Sequence, residues 1–105
     1  MRKIHVAIKE PGKVPRSVWI SPTKENLEKH VGGGLLFVIV CSDLTVICNR
    51  DQEINDAKYC AEIGGKQFFG KIIFAGLKDG GLADIPCSWQ ELKRAWPGLW
   101  NEQTD

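Results

Sequence analysis

The sequence predicts an α+β domain: a mostly antiparallel sheet of about five or six strands with two or three helices, in one domain. Three observations carry that expectation. Two apolar runs, Leu35-Leu36-Phe37-Val38-Ile39-Val40-Cys41 and Leu44-Thr45-Val46-Ile47-Cys48, flank the turn formers Ser42-Asp43, which is the signature of a hairpin at the centre of a sheet, covered over most of its surface. Ile4, Val6 and Ile8 alternate with His5, Ala7 and Lys9, the period of a half-buried strand. Near the other end Ser88 precedes Glu91 by three residues, the spacing of a capping box that opens a helix.

Taken in order, the strand over 3–10 meets Pro11-Gly12, which supplies the fixed and the positive φ of a type II turn. A second strand over 16–20 places Val18 and Ile20 on one face and Ser17 and Trp19 on the other, with Pro15 at its start. Ser21-Pro22-Thr23 begins a helix whose short apolar face is Leu27 and Val31, and Gly32-Gly33-Gly34 ends it. After the central hairpin, residues 49–65 form the most polar segment, read as loop or short helix and closed by Gly64-Gly65. Residues 68–77 read as one apolar strand with Gly70 inside it, a mark of a bulge or close approach. Lys78-Asp79-Gly80-Gly81 is a turn, and 82–86 returns as a short edge strand. In the last helix Trp89, Leu92 and Trp96 share a face, Pro97-Gly98 stops it, and the chain frays from about residue 101.

With 105 residues, 14 basic against 13 acidic, the chain carries a net charge of +1. Nucleic-acid binders draw much of their affinity from a basic excess, so that class is disfavoured. The start, Met1-Arg2-Lys3-Ile4-His5-Val6, lacks the apolar run of a signal peptide, and no stretch approaches the ~20 apolar residues of a membrane span. The expectation is a cytoplasmic protein with no membrane contact. Cys41, Cys48, Cys60 and Cys87 contain no Cys-x-x-Cys pair and read as free thiols. A Ser42-Asp43 turn sets Cys48 opposite Phe37, so Cys41 and Cys48 should not bridge.

Gly65-Lys66-Gln67-Phe68-Phe69-Gly70-Lys71 has the bare spacing of a phosphate-binding loop. It lacks the Ser or Thr for magnesium, and the residues after it read as strand where that loop needs a helix, so the motif is rejected. Scattered Cys and His show no paired zinc spacing, and neither a metal nor a cofactor is expected. A thiol hydrolase would need Cys48, His5 and an acid to meet. A packed core thiol is the plainer reading. Core packing likewise explains Trp89 and Trp96; the alternative is that Trp89, Trp96 and Trp100 form a patch that docks a protein partner. The charged loop and its sequel gather Asn49, Arg50, Lys58, Tyr59 and Lys66, where cations, amides and an aromatic could surround a small anionic ligand.

Four pieces together resemble a known family: Glu10-Pro11-Gly12-Lys13, the helix end Val31-Gly32-Gly33, the strand end Val46-Ile47-Cys48-Asn49, and Gly70-Lys71-Ile72-Ile73-Phe74-Ala75-Gly76. Over about residues 3–77, in order, the chain is similar to the domain-of-unknown-function family three-eight-four-six, small proteins of phages and bacterial mobile elements. Where that family often carries Leu-Pro-x-Asn-Arg after the Cys-Asn strand end, this chain has Ile54-Asn55-Asp56-Ala57-Lys58, and its tail from Pro86 looks individual. The resemblance implies a setting in which small accessory proteins counter host defence. It leads to the expectation of a non-enzymatic anti-defence protein, a homo-oligomer that sequesters a nucleotide-derived immune signal. The alternatives are an inhibitor that docks a host defence protein through the Trp-rich C-terminal helix, and a small thiol-dependent hydrolase.

Overall fold

Among the described residues, eight strands and two α-helices succeed one another as ββα-ββ-ββ-ββα. The structure, a computed structural model, describes residues 3–51 and 58–100. β1 (Ile4–Lys9) and β2 (Arg16–Ile20) pair as an antiparallel hairpin. The turn between them has the expected geometry: Gly12 adopts φ 76° and the Lys13 N–H donates to the Glu10 carbonyl at 3.1 Å. α1 (Lys24–Val31) is capped by Thr23, whose hydroxyl accepts from the Asn26 N–H. It ends in the left-handed Gly32, and the amides of Gly32 and Gly33 both donate to the Glu28 carbonyl.

β3 (Leu35–Cys41), β4 (Leu44–Asn49), β7 (Ile72–Lys78) and β8 (Gly81–Ala83) complete the main sheet, an antiparallel array in the order β2-β1-β7-β4-β3 with β8 also pairing β7. β5 (Tyr59–Ile63) and β6 (Lys66–Phe69) form a separate two-stranded hairpin. α2 (Trp89–Ala95) has the expected capping box, Ser88 and Glu91 satisfying each other's amides, and a 3-10 turn, Pro97–Trp100, comes after it. The α+β class and the mostly antiparallel sheet hold.

The sheet is covered on both faces. On one, Leu27 and Val31 of α1 pack over Ile4, Val6, Ile8, Ile47 and Ile73. On the other, the β5–β6 hairpin, Leu92 and Leu99 pack over Ala7, Val46, Cys48, Ile72 and Phe74. Double cover turns β1 into a fully sandwiched strand, which corrects the half-buried reading: Ala7 is buried, and so is Lys9, whose ammonium donates to the Glu10 carbonyl at 2.9 Å.

Further expectations are corrected. The hairpin of β3 and β4 does not lie wholly at the sheet centre. β7 takes the free edge of β4, so β3 is outermost, with Phe37 48 % and Ile39 68 % exposed. Cys48 pairs with Leu36, not Phe37, because a bulge between Ile39 and Cys41 adds one residue beyond the Ser42-Asp43 turn. No disulfide joins any of the four cysteines nonetheless. The apolar run over 68–77 is two strands: Gly70 at φ 79° lets the chain leave the small hairpin and enter the main sheet. Within the polar segment, residues 59–63 are strand, because Gly64 and Gly65, both with positive φ, make the two-residue turn that returns the chain into β6. Residues 52–57, within the expected loop or helix, lie outside the described residues. The returning edge strand is shorter than expected, three residues ending at Ala83.

Candidate anion-binding groove

Most residues expected at a ligand site do not converge. Asn49, at the end of β4, is buried and fully engaged: its side-chain amide donates to the Val31 carbonyl at 3.3 Å and its side-chain oxygen accepts from the Asp51 N–H at 2.8 Å. It ties the end of α1 to the end of β4. Arg50 folds back over Gly34, where an added Cβ would meet a guanidinium nitrogen at 2.8 Å. Tyr59 and Lys66 stand at opposite ends of the small hairpin, because Tyr59 pairs with Phe69 while Lys66 pairs with Ile63. That places them about 12 Å apart along the strands. Tyr59 packs edge-on to Phe69, and the Lys66 ammonium lies 5.8 Å from the Phe68 ring centre. Lys58 is exposed just before β5, its carbonyl accepting from the Gly70 N–H.

The tryptophans divide. Trp96 and Trp100 pack against the core, Trp96 with its ring 6.4 Å from Phe74, while Trp89 stands edge-on to Trp100 at 5.5 Å and is the more exposed. Trp19, 61 % exposed, is the indole most open to solvent, tilted against the His5 ring at 4.9 Å. Cys48 is buried on the face toward the β5–β6 hairpin, its thiol donating to the Leu36 carbonyl, and burial pushes its pKa up. The register through β7 sets it level with Lys9, so His5 is four residues further along and two strands away, on the order of 15 Å. The His5 ring contacts the Ser17 hydroxyl instead. Among the described residues no group of three or more His, Cys, Asp or Glu is placed to hold a metal, and no helix is long and apolar enough to cross a membrane.

The arrangement with a chemical direction lies between β2 and α1, a groove of about 700 Å³. Its floor is apolar, from Val18 and Ile20, and its walls carry Lys3, Arg16, Asn26 and His30. Strand parity explains the placement: Arg16, Val18 and Ile20 share the face that α1 covers, and His30 comes from the last turn of that helix. The His30 imidazole is held below its ordinary pKa, first by burial and then by the charges of Lys71, Arg16 and Lys29. Of these cations Arg16 lines the groove, beside Lys3, and among the described lining residues none is a carboxylate. Glu10 reaches Arg16 at 3.6 Å, but Arg16 is 53 % exposed and the pair is a solvent-screened one. Trp19 borders the groove through its place in β2, but its indole lies on the other face of that strand, against the His5 ring.

None of the five residues picked from the sequence lines this groove. Arg16, His30 and Lys71 come from a strand start, a helix end and the approach to β7, each unremarkable alone. A histidine at the helix C-terminus, His30, is the sole local signal, and in the sequence it reads equally as dipole compensation.

The family model described as "Domain of unknown function (DUF3846)" matches residues 1–95. The chain belongs to this family. No curated protein and no solved structure matches it. The DUF3846 match runs past the resemblance read from the four sequence pieces and takes in α2 with Trp89, while Trp96 and Trp100 fall beyond it. Lys3, Arg16, His30 and Lys71 all lie within the matched span.

Proposed function

We propose that this DUF3846 protein is a non-enzymatic binding protein that holds a small anionic, nucleotide-derived ligand in the groove between β2 and α1, and that it serves a phage or mobile element by withdrawing an immune signal from its host. The observation that carries this reading is a groove whose described lining holds Lys3, Arg16, Asn26 and His30 and no carboxylate, with the charges of Lys71, Arg16 and Lys29 felt at His30. Such a site raises the local concentration of an anion and gains charge-assisted hydrogen bonds when one binds. The volume is within the range of about 300–1,000 Å³ typical of small-ligand sites.

The test is a thermal-shift and calorimetry panel of mononucleotides, cyclic dinucleotides and cyclic ADP-ribose isomers. A ligand present at a hundred times its Kd stabilises the native state by about 2.7 kcal/mol. The reading expects such a shift, its loss in Arg16→Ala and Lys71→Ala, its retention in Lys66→Ala, and recovery of the ligand chemically intact after denaturation. Loss in Lys66→Ala with retention in Arg16→Ala would move the site to the β5–β6 hairpin. A cleaved product would make the protein an enzyme, and silence across the panel would remove the ligand.

A second reading rests on the exposure of Trp19 and Trp89, large indoles of the kind that anchor protein partners. There the protein blocks a host defence protein, and Trp19→Ala and Trp89→Ala abolish capture of that partner with little change in Tm.

A further inference from the structure

β3 ends the main sheet, and over residues 35–39 it has no charge, proline or bulge of the kind that keeps an edge from pairing. Leu35-Leu36-Phe37-Val38-Ile39-Val40-Cys41 contains no charge and no proline, and the single bulge comes only after Ile39, next to the turn. The direction of its backbone groups is set by the ladder. The Arg50 N–H donates to the Gly34 carbonyl, so with the register Leu36↔Cys48 and Val38↔Val46, residues 34, 36 and 38 spend their amides and carbonyls on β4. Leu35, Phe37 and Ile39 therefore point theirs outward, and among the described residues no strand lies on that side. The side chains agree with the backbone. Leu36, Val38 and Val40 pack on the core, whereas Phe37 and Ile39 project to the opposite face and remain 48 % and 68 % exposed.

We infer that β3 is a self-association edge: two copies of this chain pair antiparallel through residues 35–39, with Phe37 on the twofold axis. The occupant is a second copy because the edge is self-complementary about its own centre. In that register Phe37 meets Phe37 and Leu35 meets Ile39, so the outward groups of both copies close a seam of about six hydrogen bonds. A twofold axis normal to the sheet keeps both α1 helices on one face. It therefore brings the exposed Phe37 and Ile39 of each copy against Phe37 and Leu35 of the other. One bulge-free run of five residues thus loses its unpaired amides and its exposed aromatic together. The inference stands whether or not the groove binds an anion.

Sedimentation at micromolar concentration tests it, together with residue-resolved hydrogen exchange. The expected species has twice the 11.7 kDa chain mass, with the amides of Leu35, Phe37 and Ile39 as protected as those of Leu36 and Val38. Phe37→Pro removes one outward N–H and none that faces β4; Ile39→Lys places a charge in the seam. Each is expected to raise the dimer dissociation constant about tenfold or more. Should Phe37→Pro fail to fold, Ile39→Lys and the exchange pattern decide alone. A wild-type monomer at about 100 µM would overturn the proposal. So would a dimer that survives Ile39→Lys, or alternating protection along β3 within an oligomer.

Discussion

Asn49 shows how a polar side chain in a core can be structural. It is 8 % exposed and both ends of its amide are spent, one on the last turn of α1 and one on the amide of Asp51. Gly33 has to be glycine-sized beside it, since an added Cβ would lie 2.8 Å from the Asn49 amide nitrogen. Asn49→Ala leaves the Val31 carbonyl and the Asp51 amide without these partners, and a loss of about 1–3 kcal/mol in chemical denaturation is expected. Cys60 gives a second expectation at this scale. It is buried, its thiol donates to the Lys9 carbonyl at 3.6 Å, and burial pushes its pKa up to about 11 from 9.0. A folded pKa above the unfolded one means the protonated thiol favours the native state. That stability is whole below pH 9 and is lost as pH rises toward 11, by about 2–3 kcal/mol for a shift of this size. Denaturation midpoints measured across that window should fall, and should fall less in Cys60→Ala.

The β5–β6 hairpin is the element that owes most to its neighbours. A two-stranded hairpin is marginal alone in water, and this one has its own sheet, separate from the main array. What holds it is burial: Cys60, Ala61, Ile63 and Phe68 enter the same cluster as Ile72, Phe74 and Leu99. Phe68 is fully buried, so Phe68→Ala is expected to cost about 3–5 kcal/mol. Hydrogen exchange should show the amides of 59–69 losing protection before those of β4 and β7. Equal loss throughout the sheet would mean that the hairpin and the main sheet unfold as one unit. Apolar content in residues 68–77 was visible in the sequence, yet the division at Gly70 was not. A glycine inside an apolar run is compatible with a bulge, a close approach or a change of sheet, and the choice depends on where Lys58 lies, whose carbonyl takes the Gly70 amide.

Across the whole molecule, the groove exists because β2 and α1 carry their cations to a common side while the net charge stays at +1. His30 turns that local field into a measurable pH dependence. Burial, Lys71, Arg16 and Lys29 depress its pKa below 6.5, so without ligand the native state disfavours the imidazolium and loses this part of its stability as pH falls through 6.5. An anion in the groove reverses the preference, and binding takes up a proton. Affinity for the ligand should therefore rise as pH drops from 7 toward 5.5, and calorimetry in buffers of different ionisation enthalpy should register proton uptake that His30→Gln abolishes. A pH-independent affinity would separate His30 from the site.

The sequence by itself determined the α+β class, both helix caps, the turns at Pro11-Gly12 and Ser42-Asp43, the lack of a Cys41–Cys48 bridge and the family. Most of these depend on residues within a few positions of one another: a hydroxyl three residues from an amide, a proline before a glycine, an apolar period of two. The tertiary structure alone decided which strand would be outermost, that Asn49 would be an anchor, that Tyr59 and Lys66 would stand apart, and that Arg16 and His30 would line one groove. The physical reason is that strand neighbours are chosen by the pairing of distant segments. β7 lies between β1 and β4 and uses one edge of each, so the outer edges of the array fall to β2 and β3. That pairing left β3 at the edge of the described sheet and set Lys3, Arg16 and His30 along one groove.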